Sequence, residues 1–133
     1  MLFNQAYAGR RVLVTGHTGF KGSWLTEWLL ALGAEVTGFA LAPESKQALF
    51  YQLGLEPRIR HVVGDIRDAE AVHRVIEETR PNFVFHLAAQ PLVRLSYEIP
   101  VETYATNVMG TIHVMDALRR HAPDRPVVAV MVT

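Results

Sequence analysis

Apolar positions along the chain follow two rhythms. Short, near-continuous apolar runs occur at 10–15 (RRVLVT), 35–41 (EVTGFAL), 59–66 (IRHVVGDI), 83–89 (FVFHLAA) and 127–132 (VVAVMV). Runs of this length, rich in β-branched residues, read as strands buried on both faces. Between them, apolar residues recur at three- and four-residue steps. Trp24, Leu25, Trp28, Leu29 and Leu32 mark a helix over 22–32 that Gly33 ends. Asp68 caps a second helix, whose Val72, Val75, Ile76 and Thr79 share a face and which Pro81 closes. Pro100 opens a third, long helix to about residue 121, with Val101, Tyr104, Ala105, Val108, Ile112 and Met115 on one face. The segment 42–57 is the least regular; it contains two prolines and a short helical candidate over 46–53.

The resulting order is β-α-β-(short α)-β-α-β-α-β. Buried strands alternating with helices predict an α/β fold, a Rossmann-type doubly wound parallel sheet in three layers that stops after its fifth strand. The 133 residues make one domain, 1–133. A chain that ends at the tip of a core strand reads as part of a longer protein.

Composition narrows the functional classes. Thirteen basic residues balance thirteen acidic ones, so there is no electrostatic footprint for nucleic acid or an anionic membrane. Cysteine is absent, and the six histidines are not spaced as a metal set. The first residues lack the layout of a signal peptide, and no apolar run approaches the ~18 residues that span a bilayer. These features predict a soluble cytoplasmic protein.

The candidate chemistry lies in VLVTGHTGFKGSWL, residues 12–25. Gly16, Gly19 and Gly22 fall between the first strand and the first helix, the context that gives a glycine pattern meaning. Gly16 would take a tight turn, Gly19 would let backbone approach a pyrophosphate, and Gly22 would let helix pack on strand. The helix start offers unpaired N–H groups and the positive end of its dipole to an anion. Lys21 precedes Gly22 and Ser23, which is the wrong order for a triphosphate loop.

The carboxylate expected at the end of the second strand is missing, since residues 39–43 read FALAP and Glu44 comes late. No arginine stands there either, which leaves NAD against NADP open. His17 and Lys21 could approach the ribose or a 2′-phosphate. Asp65, at the end of the third strand, could accept from an adenine amino group. Small residues at 87–90 (LAAQ) would let a flat ligand lie on backbone. His86 reads as a satisfied core residue, Trp24 and Trp28 as core, and the other histidines as structural or solvated.

Together, TGHTGFKGSWL, GDIRD, FHLAAQPLVRLSY and TYATNVMGT resemble the extended short-chain dehydrogenase/reductase family of NAD-dependent epimerases and dehydratases, and most narrowly its CDP-glucose 4,6-dehydratase branch. The resemblance runs from about residue 11 to 133. It implies that Gly16, His17, Thr18, Gly19, Phe20, Lys21 and Gly22 line the pyrophosphate of NAD. Asp65 and Ile66 would hold the adenine; Leu87, Ala88, Ala89 and Gln90 would flank the ribose and nicotinamide; Thr106 would sit by the nicotinamide ribose, with Asn107 supporting. Gln90, Arg94 and Ser96 would meet the sugar nucleotide, CDP-glucose or a relative, and Thr133 would immediately precede the family's catalytic serine or threonine.

The implied reaction oxidises C4 of the glucose, removes water across C5 and C6, and returns the hydride to C6. It yields CDP-4-keto-6-deoxyglucose, a precursor of deoxy sugars in bacterial lipopolysaccharide. The family's Tyr-x-x-x-Lys pair is absent, because Tyr7, Tyr51, Tyr97 and Tyr104 are not followed by lysine four residues on. The segment is therefore expected to bind cofactor without catalysing alone. The long helix from Pro100 is expected to pair with its copy in a homo-oligomer. Two alternatives stay open: another sugar-nucleotide epimerase or reductase, and a nucleotide-binding module without chemistry.

Overall fold

In the computed structural model, which describes residues 2–133, five parallel strands form one sheet in the order β3-β2-β1-β4-β5. They are β1 (Arg11–Thr15), β2 (Glu35–Ala40), β3 (Arg60–Val63), β4 (Phe83–His86) and β5 (Val128–Met131). The helices are α1 (Phe20–Ala31), α2 (Leu49–Gln52), α3 (Ala69–Thr79), α4 (Val93–Glu98), α5 (Pro100–Tyr104) and α6 (Gly110–His121). Strand β1 lies between β2 and β4, with Leu13 opposite Thr37 on one side and Val84 on the other. The chain order therefore reverses at the β1/β4 junction, the switch point of a doubly wound sheet.

Alternation along β1 divides the core. Leu13 joins Phe39, Ile66, Val72, Ile76, Val84 and Val114 beneath α3 and α6. Val12 and Val14 point the other way and pack with Leu29 and Val36 beneath α1. The three layers expected from the sequence are present. Asp68 caps α3 by accepting from the Ala71 N–H, and Val72, Val75, Ile76 and Thr79 are its buried face. Asp68→Ala should cost about 1 kcal/mol of stability, read from the urea midpoint, since it strips one helix N–H of its acceptor.

Several boundaries differ from expectation. Strands β3 and β4 stop at Val63 and His86, before the apolar tails GDI and LAA, which turn away as loops. Helix α1 begins at Phe20, two residues before Gly22, with Gly19 as its N-cap. Its inner face is Gly22, Ser23, Thr26 and Leu29. Trp24 and Trp28 are each half exposed, which corrects their assignment to the core. Small residues face inward because α1 lies close to the glycine loop, where a bulky ring would not fit. Helix α4, unforeseen, contains no buried residue and so gives no apolar signal.

The long helix from Pro100 is interrupted by a π turn over Ala105–Met109, with helical dihedral angles on both sides. Gly110, Val114 and Ala117 are the buried residues of α6, facing α3 and Ile66. The row Val101, Tyr104, Val108, Ile112 and Met115 faces outward, each residue at least 45% exposed.

Candidate functional site

In a parallel sheet every strand delivers its following loop to the same edge. Residues 16–19, 41–48, 64–68 and 87–92 therefore gather beyond the strand C-termini, around the switch point. A broad cleft at the opposite edge, lined by Arg11, Glu35, Arg58, Arg60 and Glu78, lies at the strand beginnings, where this architecture does not place ligands.

The glycine loop is shaped by two close approaches. Gly16 sits at φ +80°, and a Cβ there would lie 2.8 Å from the Ala88 nitrogen. A Cβ on Gly22 would lie 2.0 Å from the Gly16 carbonyl oxygen. Gly19 is different: a Cβ there would meet only the Gly16 oxygen, at 3.5 Å, so its outer side is open. The first intrahelical bond runs from Ser23 N–H to Gly19 C=O at 2.9 Å, and no side chain caps the helix start. The N–H groups of the first turn thus remain free for an anion. Phe20 and Lys21, the first two residues of the helix, are exposed. The arrangement fits a diphosphate bridge.

Thr18 closes the loop toward β2 by donating its hydroxyl to the Leu41 carbonyl at 2.9 Å. The His17 side chain turns away from the mouth. It is fully buried over Gly38, where a Cβ would lie 2.2 Å from its ring, and its Nε2 shares a proton with His61 Nδ1 across 2.7 Å. Only the backbone of His17 can line a ligand. Its Nδ1 makes no close hydrogen bond among the described residues and has only the Phe39 backbone as a weak polar neighbour. Burial first, then the neighbouring His61, push its pKa down from 6.5 to about 4, partly opposed by the Phe39 backbone.

Asp65 is held by Arg67, which donates to its carboxylate from the backbone N–H, Nε and Nη2 at 2.7–3.1 Å. The guanidinium bonds hold the carboxyl below its ordinary pKa. Ile66 is buried under Gly110. Leu87 and Ala88 lie against Gly16, whereas Ala89 is exposed.

Gln90 is clasped at its backbone by Asn107 from the π turn: the Gln90 N–H donates to Oδ1 at 2.7 Å and the Gln90 carbonyl accepts from Nδ2 at 3.1 Å. Its side-chain amide is also spent internally, accepting from Leu92 N–H and donating to Leu92 C=O and Thr103 Oγ1. Thr106 is half-buried beside Asn107. Arg94 is exposed on α4, while the Ser96 hydroxyl donates to the Val93 carbonyl. Thr133 is exposed just beyond β5.

Sequence reasoning missed Thr15. Its hydroxyl accepts from the N–H groups of Leu87 and Ala88, both at 3.1 Å, joining the two loops. The signal was a buried hydroxyl immediately before the first glycine. Among the described residues no group of histidines and carboxylates could hold a metal ion.

The sequence model of a family described as GDP-mannose 4,6 dehydratase matches residues 13–131. A CDP-glucose 4,6-dehydratase of Salmonella typhimurium is 48% identical over 98% of this chain and 36% of its own length. A GDP-mannose 4,6-dehydratase of Vibrio cholerae is 34% identical over 83% of this chain and 31% of its own. The chain thus spans about a third of these relatives. Among solved structures, the epimerase Mth375 of Methanothermobacter thermautotrophicus superposes with a TM-score of 0.78 at 35% identity, covering 89% of this chain and 34% of that one. The UDP-glucose 4-epimerase of Thermus thermophilus, solved with NAD, gives 0.73 at 37% identity over 84% of this chain and 34% of that one. With its glycine loop at the switch point of the sheet and a family match over residues 13–131, the chain belongs to the GDP-mannose 4,6 dehydratase family.

Proposed function

We propose that this chain is the dinucleotide-binding part of a longer sugar-nucleotide 4,6-dehydratase that acts on CDP-glucose with NAD. The observation that carries the reading is the open, uncapped start of α1 beside three glycines, in a chain 48% identical to a CDP-glucose 4,6-dehydratase. The bound cofactor would supply reversible hydride transfer to and from the sugar.

The chain's own residues bind and orient. The N–H groups following Gly19 hold the diphosphate, the small loop residues let it approach, and the wall from Leu87 to Gln90 fixes where the nicotinamide end lies. Asp65, aligned by Arg67, offers an acceptor at the adenine end. Gln90 supports the wall, and Arg94 is the charge free to meet a sugar nucleotide. The proton-transferring tyrosine and its lysine are supplied by residues that this chain does not contain.

The direct test incubates the intact protein with CDP-glucose and follows the absorbance of a 4-keto product in base. Turnover of CDP-glucose supports the reading; failure with every nucleoside diphosphate glucose removes it. Inversion at C4 without loss of water would instead favour the epimerase reading, for which the solved relatives speak.

The exposed apolar row of α5, the π turn and α6 is the surface for a second copy of the chain. Five such residues at helical spacing leave a stripe that water solvates poorly. Val108→Glu, placed mid-stripe, should convert a dimer into a monomer in sedimentation velocity while leaving NAD binding to the isolated subunit intact. The proposed enzyme is cytoplasmic, and no described helix is long and apolar enough to cross a membrane.

A further inference from the structure

His86 ends β4 with only 2% of its surface exposed. Its two ring nitrogens are both engaged. Nδ1 lies 2.6 Å from Thr15 Oγ1 and Nε2 lies 3.1 Å from Thr111 Oγ1. Each hydroxyl has a further role. Thr15 Oγ1 accepts the N–H groups of Leu87 and Ala88, and Thr111 Oγ1 donates to the Asn107 carbonyl at 2.8 Å.

We propose that His86 is a positioning residue for the cofactor cleft: through Thr15 it fixes the Leu87–Ala88 backbone against Gly16, and through Thr111 it ties that wall to the π turn. The inference rests on the dinucleotide-binding reading for its function and on proton bookkeeping for its structure.

A threonine hydroxyl has one hydrogen. Thr15 Oγ1 receives the Ala88 N–H and a share of the Leu87 N–H, which also donates to the Thr15 carbonyl at 3.0 Å, so its own hydrogen is left to point to His86 Nδ1, which must be bare. Thr111 Oγ1 has given its hydrogen to Asn107, so it accepts from His86 Nε2, which must bear one. The two ends, read independently, demand the same neutral tautomer. A directed chain follows: amides to Thr15, Thr15 to His86, His86 to Thr111, Thr111 to the π-turn backbone. It joins the strand that feeds the glycine loop to the helix whose Asn107 clasps Gln90. Burial, which lowers the pKa of His86, keeps the ring neutral and the directions fixed.

The test has an arm on the unaltered protein and an arm on variants. Long-range proton–nitrogen NMR correlation of the intact protein at neutral pH should show His86 with Nε2 protonated and Nδ1 bare; the opposite tautomer, or an imidazolium, overturns the proposal. His86→Leu fills similar volume without either bond. It should weaken NAD+ binding, measured by calorimetry, about tenfold, the equivalent of one lost buried hydrogen bond. Amide exchange at Ala88 should quicken by a similar factor, and by less at Leu87, whose N–H also donates to the Thr15 carbonyl.

His86→Asn, whose amide oxygen can still accept from Thr15, should recover part of the affinity. Thr111→Val, which cuts only the helix end of the chain, should weaken NAD+ less than His86→Leu. The same comparison on Thr111→Val applies if His86→Leu does not fold: unchanged affinity and unchanged amide exchange there overturn the proposal. If the unaltered protein does not bind NAD+, the functional reading falls, and the tautomer and amide exchange still decide the structural chain.

Discussion

Gly22→Ala should abolish NAD+ binding and remove about 3 kcal/mol of stability. The added Cβ would stand 2.0 Å from the Gly16 oxygen and 2.8 Å from the Gly16 carbonyl carbon. Both are backbone atoms, so no side chain can swing aside. Relief requires α1 to lift from the loop, which drags Ser23 off the His17 carbonyl it donates to at 2.9 Å and unseats the buried Thr26 and Leu29. Overpacking of this kind costs about 1–3 kcal/mol, at the upper end when backbone must move. The same lift displaces the first-turn N–H groups from the position of a diphosphate. Gly19→Ala is the control. Its Cβ meets only one atom within 4 Å, at 3.5 Å, so stability should change little while affinity falls, because the methyl group occupies the ligand's side. Calorimetry with NAD+ and urea unfolding of both variants separate the effects. Wild-type affinity in Gly22→Ala would remove the loop from the binding site.

The second large effect is acid sensitivity set by His17. The folded protein holds this imidazole at a pKa of about 4, whereas in the unfolded chain it titrates near 6.5. A depressed pKa means that the unfolded state takes the proton first. Between those limits the unfolded state binds more protons, so stability falls as pH falls. The loss begins near pH 6.5, is complete near pH 4 and amounts to about 3 kcal/mol for a difference of this size. His86, lowered by burial, adds in the same direction. Asp65, Glu27 and Asp116, lowered chiefly by arginine hydrogen bonds, add their losses in more acid solution, as pH falls below the ordinary carboxylate range. The window from pH 7 to 5 therefore isolates the histidines. Urea midpoints across it should slope steeply in the wild type and by less than half as much in His17→Leu. Equal slopes would sink the assignment.

The legible and illegible parts of this fold divide along physical lines. The inner strands could be read because β1, buried on both faces, needs an unbroken apolar run, whereas the edge strands β3 and β5, expected to be buried, are largely exposed in spite of their apolar runs; α3 was legible because its core face is Val72, Val75 and Ile76. The glycine spacing was informative because Gly16 and Gly22 are each forced by a backbone contact. Helix α1 was misread at its inner face. Hydrophobicity points to Trp24 and Trp28, but closeness to the loop selects for size, and Ser23 and Thr26 win. Each hides its polar atom in a backbone carbonyl, of His17 and Gly22 respectively. His17 looked like a loop residue facing ligand. Its burial depends on Gly38, a strand residue twenty-one positions away that leaves room for a ring, a coincidence no local pattern reveals. Helix α4 was invisible because it buries nothing.

The widened turn at Ala105–Met109 has a consequence for sequence drift. A helix advances about 100° per residue, so one surplus residue re-phases everything downstream of it. Shortening the rod by one position there would restore ordinary winding but swing Gly110 away from Ile66 and carry Val114 and Ala117 off α3. Length is thus constrained at a place where composition looks permissive. Single-residue deletions between Pro100 and Gly110 should be rejected more sharply than most substitutions among the same residues.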